Sequence, residues 1–467
     1  MTPETLPPTG DPPINMLRRW LTRSFNVEDD EVAPVVAGFS MFFLLFAGYF
    51  MLRPVRETMG ITGGVDNLQW LFTGTFVATL AAMPLFGWIA ARVRRRRILH
   101  WVFGFFTTNL VIFALGFLAW PDNVWLARAF YIWLSVFNLI ALSVAWSVLV
   151  DVFATGQAKR LFALMAAGLS AGGLVGPLLG VVLVGPIGHS GLLFLSALLL
   201  VASAFAARVV QRWRDARPIP DFAVAGRTDL PSLSSREKPL GGSPFAGATD
   251  VLRSPYLLGI ALFVLLLASV STFLYFEQAR LVEETFPLKT DQTRVFGTID
   301  AIVQALAILS QLFITGRLAQ RMGVGVLLVA VPLVTAAGFL WLALAPTFAV
   351  LAIVMVVRRA GEYAFVRPGR EMLYTVVAPE AKYKAKNFND TVVYRGADAV
   401  SGWVKTGVDM LAQQPAIAAL LGALIALAWA ATGAGLARAQ SRYAQTATGA
   451  DPISDAAVPL AGGSDKV

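Results

Sequence analysis

Twelve apolar stretches, each long enough to cross a lipid bilayer, determine most of what this chain can fold into. A membrane-spanning α-helix needs about 20 apolar residues, and its backbone polar groups bond within the segment because lipid offers them no partner. The composition, 57% hydrophobic and 14% charged, agrees with that interpretation. We therefore predict an all-α membrane protein with twelve transmembrane helices, at 35–58, 68–91, 98–119, 125–152, 161–185, 190–210, 255–280, 295–318, 324–345, 347–374, 387–411 and 414–437.

Lysine and arginine residues concentrate in every second connection between these stretches. The odd-numbered connections contain only Lys289 and Arg294. Because positive residues stay on the cytoplasmic side, both termini are predicted to be cytoplasmic in a bacterial inner membrane. The net charge of +9 reflects this orientation, so we expect no nucleic-acid partner. The basic connections hold Arg92 and Arg94 to Arg97, Lys159 and Arg160, eight residues between Arg208 and Arg253, Arg317 and Arg321, and Lys382, Lys384 and Lys386.

A long polar connection divides the twelve stretches into two sets of six. Residues 212–252 are rich in proline, glycine and serine and lack apolar periodicity, which is typical of a linker. The predicted order is a cytoplasmic tail 1–33 with an amphipathic surface helix at 14–21, a six-helix bundle 34–211, the cytoplasmic linker 212–252, a six-helix bundle 253–438 and a disordered cytoplasmic tail 439–467.

Short matches between the halves indicate an internal repeat. Arg53-x-x-x-Glu57-Thr58 in span 1 corresponds to Arg280-x-x-x-Glu284-Thr285 at the end of span 7, 227 positions later. Glycine- and arginine-containing segments after spans 2 and 8 match at a similar separation. Duplicated six-helix halves are common in secondary transporters, so we predict two pseudo-symmetric bundles.

These segments resemble signatures of the major facilitator superfamily. Residues 87–97 and 316–323 are similar to that family's loop 2–3 motif, although its acidic residue is missing. In span 5, Gly172-x-x-x-Gly176-Pro177-x-x-Gly180 is similar to the motif of the antiporter members. The same small residues could simply permit close helix packing, and the sequence leaves both interpretations open.

Span 1 ends with charges that a bilayer does not accept readily. Arg53 and Arg56 share a helical face, and Arg53 can pair with Glu57 four residues later. An arginine at the bilayer centre costs about 2.5–3.5 kcal/mol, which favours a polar site. The segment could instead lie at the outer interface, where long side chains reach water, or form an outer gate. A copy of the Arg-Pro-x-Arg-Glu motif occurs at 367–371.

Span 10 carries two adjacent arginines well inside an apolar run. Arg358 and Arg359 are predicted near the membrane midplane, with Glu362 within one turn and Tyr363 on the face of Arg359. One acid on the same helix cannot neutralise both arginines. The pattern therefore favours a hydrated cavity in which an anion meets them.

Further polar residues in spans 7, 8 and 11 complete the candidate site. Asp300 and Glu277 are interpreted as lone acids suited to bind a proton or cation, whereas hydrogen bonds between helices would explain most of the other polar residues equally well. The predicted substrate-binding residues are Arg53, Arg56, Tyr275, Arg280, Arg358, Arg359, Tyr363 and Arg395, and the predicted coupling or gating residues are Glu57, Glu277, Asp300, Glu362 and Asp398.

Three segments resemble the ATP/ADP translocase family of plastids and intracellular bacteria. They are 52–57, 157–160 and 368–374, the last followed by the lysines of 382–386. The resemblance implies nucleotide exchange through membrane-embedded basic and acidic residues. Departures accompany it: Arg56 replaces a lysine, span 4 has no acid at 134–138, and Arg395 and Asp398 occur around the family's span 11 lysine. A smaller or different anion fits these departures as well.

The favoured function is secondary active transport of an anionic metabolite, with nucleotides and phosphorylated metabolites as candidates, by alternating access and exchange. The alternatives are a proton-coupled exporter of amphiphiles and a membrane scaffold. We do not expect an enzyme, because the chain lacks nucleotide-hydrolysis and hydrolase motifs. With no cysteine and two histidines, no metal or cofactor is expected. The predicted partners are a small anionic solute and the lipid bilayer, and the chain is predicted to be a monomer.

Overall fold

The computed structural model describes residues 27–92, 95–153, 155–216, 245, 247–412 and 414–449, and all regular structure within these ranges is helical. The predicted surface helix at 14–21, the linker from 217 to 244 and the tail beyond 449 lie outside the described residues. The predicted all-α fold is confirmed.

The described part of the first half contains five long helices. They are α1 Val32–Thr62, α2 Leu68–Arg92, α3 Arg95–Ala119, α4 Val124–Val152 and α5 Thr155–Asp215. Gly188, with φ of 67°, divides α5 into two spans. Positive φ is accessible to glycine because it has no Cβ, so the predicted boundary between spans 5 and 6 coincides with a sharp bend.

The second half has shorter helices joined by π-helical turns at Gln311–Thr315, Glu362–Val366 and Asn389–Val393. Gly323, with φ of 74°, bends one of the helices in the way that Gly188 bends α5. The helices are α6 Ala248–Arg253, α7 Pro255–Thr285, α8 Lys289–Ser310, α9 Gly316–Leu344, α10 Phe348–Gly361, α11 Arg367–Leu373, α12 Pro379–Phe388, α13 Tyr394–Ala412 and α14 Pro415–Gly449.

Eight helical segments of the described chain are long and apolar enough to cross a membrane. Two of them, Arg160–Asp215 and Lys289–Leu344, are 56 residues long and contain the bends at Gly188 and Gly323, so each supplies two spans. The remaining two spans run through the charged π-helical turns, from α10 to α11 and from α12 to α13. The described chain therefore has the twelve predicted spans.

Two separate hydrophobic cores divide the spans into bundles. One core contains buried side chains from Val27 to Val210, and the other from Val251 to Leu436. A third, smaller cluster combines Leu68, Leu71 and Tyr131 with Phe276 and Val282, so it joins the two bundles. The two-bundle architecture predicted from the repeat is therefore present.

Glycines of α5 allow it to pack directly on the backbone of α1. A Cβ at Gly176 would lie 2.6 Å from the carbonyl oxygen of Ala47, and one at Gly172 would overlap that of Phe43. Neither position accepts a larger residue without moving the helices. The glycine motif of span 5 thus has a structural role, as the packing interpretation predicted.

The bundles meet at one end of the molecule. We call it the outer end, because it carries the connections 63–67, 120–123 and 286–288, which the charge distribution predicts to face outward. Here Trp403 Nε1 donates to Thr73 Oγ1 over 3.1 Å, and Lys289 Nζ lies 2.7 Å from Asp122 Oδ1. Toward the opposite, inner end, Arg160 pairs with Glu31 within its own bundle.

Candidate functional site

Asp300 on α8 lies between two arginines that come from different bundles. Its Oδ1 is 2.5 Å from Arg359 Nη2 on α10, and its Oδ2 is 3.7 Å from Arg53 Nε on α1. The shorter contact is an ion pair without hydrogen-bond geometry, because that arginine nitrogen has no aligned acceptor. Arg53 therefore lies at the depth of Arg359, which places it in the interior rather than at the outer interface.

Glu362 is shared by two further arginines. Its Oε2 accepts from Arg358 Nη1 at 3.1 Å, and its Oε1 is 3.7 Å from Arg367 Nε. Arg358 also donates to Ser271 Oγ at 2.7 Å, while its buried Nε has no hydrogen-bond partner. Since a buried donor without an acceptor costs about 1–3 kcal/mol, this guanidinium is available to an added acceptor.

Arg56 is held against the outer closure by an aromatic pair. Its Nη1 donates to Glu57 Oε1 at 3.0 Å, its Nε donates to the Tyr131 carbonyl at 3.2 Å, and its guanidinium lies 3.8 Å from the Tyr131 ring centroid. The Tyr131 hydroxyl donates to the Tyr275 hydroxyl at 3.0 Å. Because these tyrosines belong to opposite bundles, their hydrogen bond closes the site toward the outer end.

Span 11 contributes the last pair. Arg395 Nη1 is 3.6 Å from Asp398 Oδ2, and Asp398 Oδ1 accepts from Thr272 Oγ1 at 3.1 Å. Together with the contacts of Asp300 to Arg53 and Arg359, these pairs place arginines of both bundles around a common space.

Solvent reaches this space on the side away from the outer closure. The exposed fraction of the side chain is 56% for Arg367, 32% for Arg395 and 22% for Arg53. Asp300 and Arg359, by contrast, are nearly inaccessible. We call the arginines and carboxylates around this space the central site: Arg53, Arg56, Glu57, Asp300, Arg358, Arg359, Glu362, Arg367, Arg395 and Asp398.

Positive charge exceeds negative charge in the central site. It contains six arginines and four carboxylates, all among the described residues. Arg56 pairs with Glu57 and Arg395 with Asp398, whereas Asp300 and Glu362 each serve two arginines. Water reaches Arg367 and Arg395, but Arg358 and Arg359 are buried, and excess positive charge around them is costly without a counter-ion. The site is therefore suited to an anion.

Two predicted site residues belong to a different group of charges. Glu277 accepts from Arg280 Nη2 at 2.7 Å and from buried Lys405 Nζ at 3.3 Å. Lys405 also contacts Asp409 at 2.6 Å, and Arg280 contacts Glu284 at 2.9 Å. We call these five residues the outer cluster. Their contacts connect α7 with α13 rather than with the central arginines.

The description of Glu277 and Asp300 as lone acids is therefore wrong. Each is in contact with two basic side chains, and most of these lie on other helices. Sequence spacing could not reveal partners from α1, α10 or α13.

Several residues of the site were not predicted. Tyr131 and Ser271 lie in apolar stretches without any charge pattern, so nothing in the sequence distinguished them. Arg367 was noted only as part of a repeated motif, yet its guanidinium lies 4.3 Å from the ring centroid of Tyr363. In the described chain, no group of three or more histidine, aspartate or glutamate residues is arranged to hold a metal ion.

Comparisons with known proteins agree with this architecture. Residues 35–385 match the family model described as Major Facilitator Superfamily. No curated protein matches the chain.

Solved structures share the fold at low sequence identity. The POT family transporter PepTSo has a TM-score of 0.60 at 14% identity, with 88% of this chain and 98% of that chain covered. The nucleoside transporter NupG has a TM-score of 0.53 at 16% identity, with 90% of this chain and 100% of that chain covered. A third structure is a bacterial homologue of the human lysosomal transporter Spinster in an inward-facing and unoccupied conformation. Its TM-score is 0.52 at 16% identity, with 90% of this chain and 95% of that chain covered. The resemblance to ATP/ADP translocases stays a prediction.

Proposed function

Because the chain belongs to the Major Facilitator Superfamily, we propose that this membrane transporter carries a small organic anion by alternating access, in exchange for a second anion. The observation that carries the proposal is the charge of the central site, where six arginines face four carboxylates. The unpaired Nε of buried Arg358 adds a donor without an acceptor. Arginine binds carboxylates and phosphates through two parallel hydrogen bonds, so both classes of anion suit the site.

The position of the site supports alternating access. It lies between the bundles, is closed toward the outer end by the Tyr131–Tyr275 hydrogen bond, and is exposed on the other side at Arg367. Arg53 and Asp300 make contact across the two bundles. Opening the outer end separates these partners, and a bound anion can then replace the lost carboxylate.

Exchange is the coupling mode that the charges favour. Without a bound anion, rearrangement would expose uncompensated guanidinium groups to the low-dielectric interior. A carrier of this kind changes between its inward-open and outward-open states most readily with an anion bound. Nucleotides and other phosphorylated metabolites are the substrates that the sequence resemblance suggests, and both termini are proposed to be cytoplasmic.

Two assays test the proposal. In the first, purified protein is heated with panels of phosphorylated metabolites, nucleotides and carboxylates, because a ligand stabilises the folded state by RT ln(1 + [L]/Kd). In the second, proteoliposomes take up a radiolabelled stabilising anion with or without the same anion inside. We expect stabilisation and faster uptake with internal anion. Absence of stabilisation by every anion would remove the basis of the proposal.

One observation favours proton coupling as the second candidate. Asp398 is buried, and the one cationic side chain in contact with it among the described residues, Arg395, is 3.6 Å away. Carboxylates buried within membrane spans form the proton relays of many pumps and transporters. Uptake driven by a pH gradient and abolished by Asp398→Asn, without acceleration by internal anion, would support this alternative against exchange.

A further inference from the structure

The excess positive charge of the central site arises because two of its four carboxylates are each shared by two arginines. Asp300 is shared by Arg53 and Arg359, and Glu362 is shared by two other arginines. The pairs of Glu57 and Asp398 are balanced one to one. Each shared carboxylate leaves one guanidinium charge uncompensated, so the site as a whole has a formal charge of +2.

Asp300 and Arg53 differ from the other charged pairs of the central site because their contact, at 3.7 Å, joins the two bundles. Arg53 and Arg359 approach the carboxylate from different helices, so their guanidinium groups converge on one position. Arg53 is also 22% exposed and therefore accessible to a solute from the open side.

A ligand at this position must compete with the Asp300 carboxylate. The displaced Asp300 carboxylate stays ionised within the central site, so a bound monoanion lowers the excess of two positive charges to one. A dianion neutralises the site, and the benefit is large where water is scarce, because charge interactions strengthen as the dielectric constant falls.

We propose that the transported solute is a dianion, and that one of its charged groups takes the place of the Asp300 carboxylate between Arg53 and Arg359. This inference rests on the proposed function and specifies its substrate class. A phosphate monoester matches it well, since it carries a charge of about −1.5 to −2 at pH 7 and offers three acceptor oxygens to two guanidinium forks. A dicarboxylate meets the same charge requirement with its two groups apart.

The replacement also explains how occupancy could control movement. The Asp300 carboxylate holds Arg53 of one bundle to Arg359 of the other in the empty protein. A dianion that binds both arginines frees Asp300 from this contact. The bundles then separate at the outer end without stranding Arg53 unpaired.

Matched probes of different valence test the inference in purified full-length protein at pH 7.5. Phenyl phosphate is compared with methyl phenyl phosphate, and succinate with succinamate, each pair differing by one negative charge. Titration calorimetry gives the affinities. We expect at least one dianion to bind 10-fold or more tightly than its monoanionic partner, and the pair that shows the preference distinguishes phosphate from carboxylate recognition.

Asp300→Asn examines the replacement itself. Removing the competing carboxylate is expected to strengthen binding of the preferred dianion by about 10-fold or more, an effect equal to about 1.4 kcal/mol. Asp409→Asn is the matched control, because it removes one negative charge from the half-exposed side of the outer cluster. The Asp409→Asn control is expected to bind the preferred dianion with the same affinity as the unmodified protein.

The results separate this inference from the proposed function. Equal binding of dianions and monoanions would overturn the inference alone, as would weaker dianion binding by Asp300→Asn. If no probe of either valence binds the unmodified protein, the anion-transport proposal itself fails. Should Asp300→Asn not fold, Arg53→Gln provides the second variant, and a valence preference unchanged by the loss of Arg53 would contradict the inference.

Discussion

The central site and the outer cluster both place charged side chains inside a membrane protein, but they balance their charges differently. In the outer cluster, Lys405 and Arg280 face three carboxylates, so every cation has a full complement of counter-charge. In the central site, six arginines share four carboxylates. A buried charge thus indicates a ligand site when its counter-charges are too few, and a structural element when they suffice.

If this distinction is correct, the largest effect on stability comes from the outer cluster. Lys405→Met leaves Glu277 buried with one cationic partner fewer, and breaking such a buried pair typically costs about 3–5 kcal/mol. Denaturant unfolding in detergent measures the loss. The double variant Lys405→Met/Glu277→Gln should recover part of it. A Lys405→Met protein of unchanged stability would remove the contrast between the two regions.

Substitutions in the central site are expected to change ligand affinity more than stability. Arg359→Gln removes a charge-assisted contact to the anion, worth about 1.5–3 kcal/mol, so affinity should fall by about 10- to 100-fold. Stability should change little, because five arginines still face the four carboxylates of the central site, whereas Lys405→Met leaves one cation facing three carboxylates in the outer cluster. Arg359→Lys is the matched control: it keeps the charge without the planar fork and should retain part of the affinity. Loss of stability without loss of affinity would reverse the assignment of the two regions.

The hydrogen bond between Tyr131 and Tyr275 lies at the boundary between the bundles and tests how the central site is closed. Tyr131→Phe removes one neutral hydrogen bond, worth about 0.5–1.5 kcal/mol, and should shift the protein modestly toward the outward-open state. The chain has no cysteine, so spin labels at Asp66→Cys and Glu283→Cys report the distance between the bundles at the outer end. An unchanged distance distribution would show that the aromatic packing alone maintains closure.

The smallest effect on stability is expected from an exposed ion pair at the outer end. Lys289 lowers the pKa of Asp122 through a hydrogen bond and its charge. A carboxyl group with a lowered pKa stabilises the folded contact above its ordinary pKa, and this contribution is lost as the pH falls through the lowered value. Because Asp122 is fully exposed, Asp122→Asn should leave the unfolding transition unchanged. A clear destabilisation that disappears in high salt would contradict this ranking.

Much of the fold could be predicted from the sequence. Apolar length gave the spans, and the bends at Gly188 and Gly323 fell between predicted helices. The repeat indicated two bundles. Each of these features depends on local composition or on a pattern within one segment, and the bilayer restricts such segments to helices.

The central site was only partly predictable. Arg358, Arg359 and Glu362 were identified because they share one helix, where spacing of three or four residues implies proximity. Asp300 was interpreted as a lone acid, since both of its arginines come from other helices. Tyr131 gave no signal, because an aromatic residue in an apolar span is ordinary until its neighbours are known.

The sequence by itself determined that this chain is a helical membrane protein with two related halves and arginines deep within it, because hydrophobic length and charge depth are properties of single segments. Only the tertiary structure decided which charges are balanced. It joined Arg53 to Arg359 through Asp300, and it assigned Arg280 and Glu277 to a compensated cluster with Lys405. The physical reason is that counter-charge depends on distance between helices, which helical periodicity does not encode.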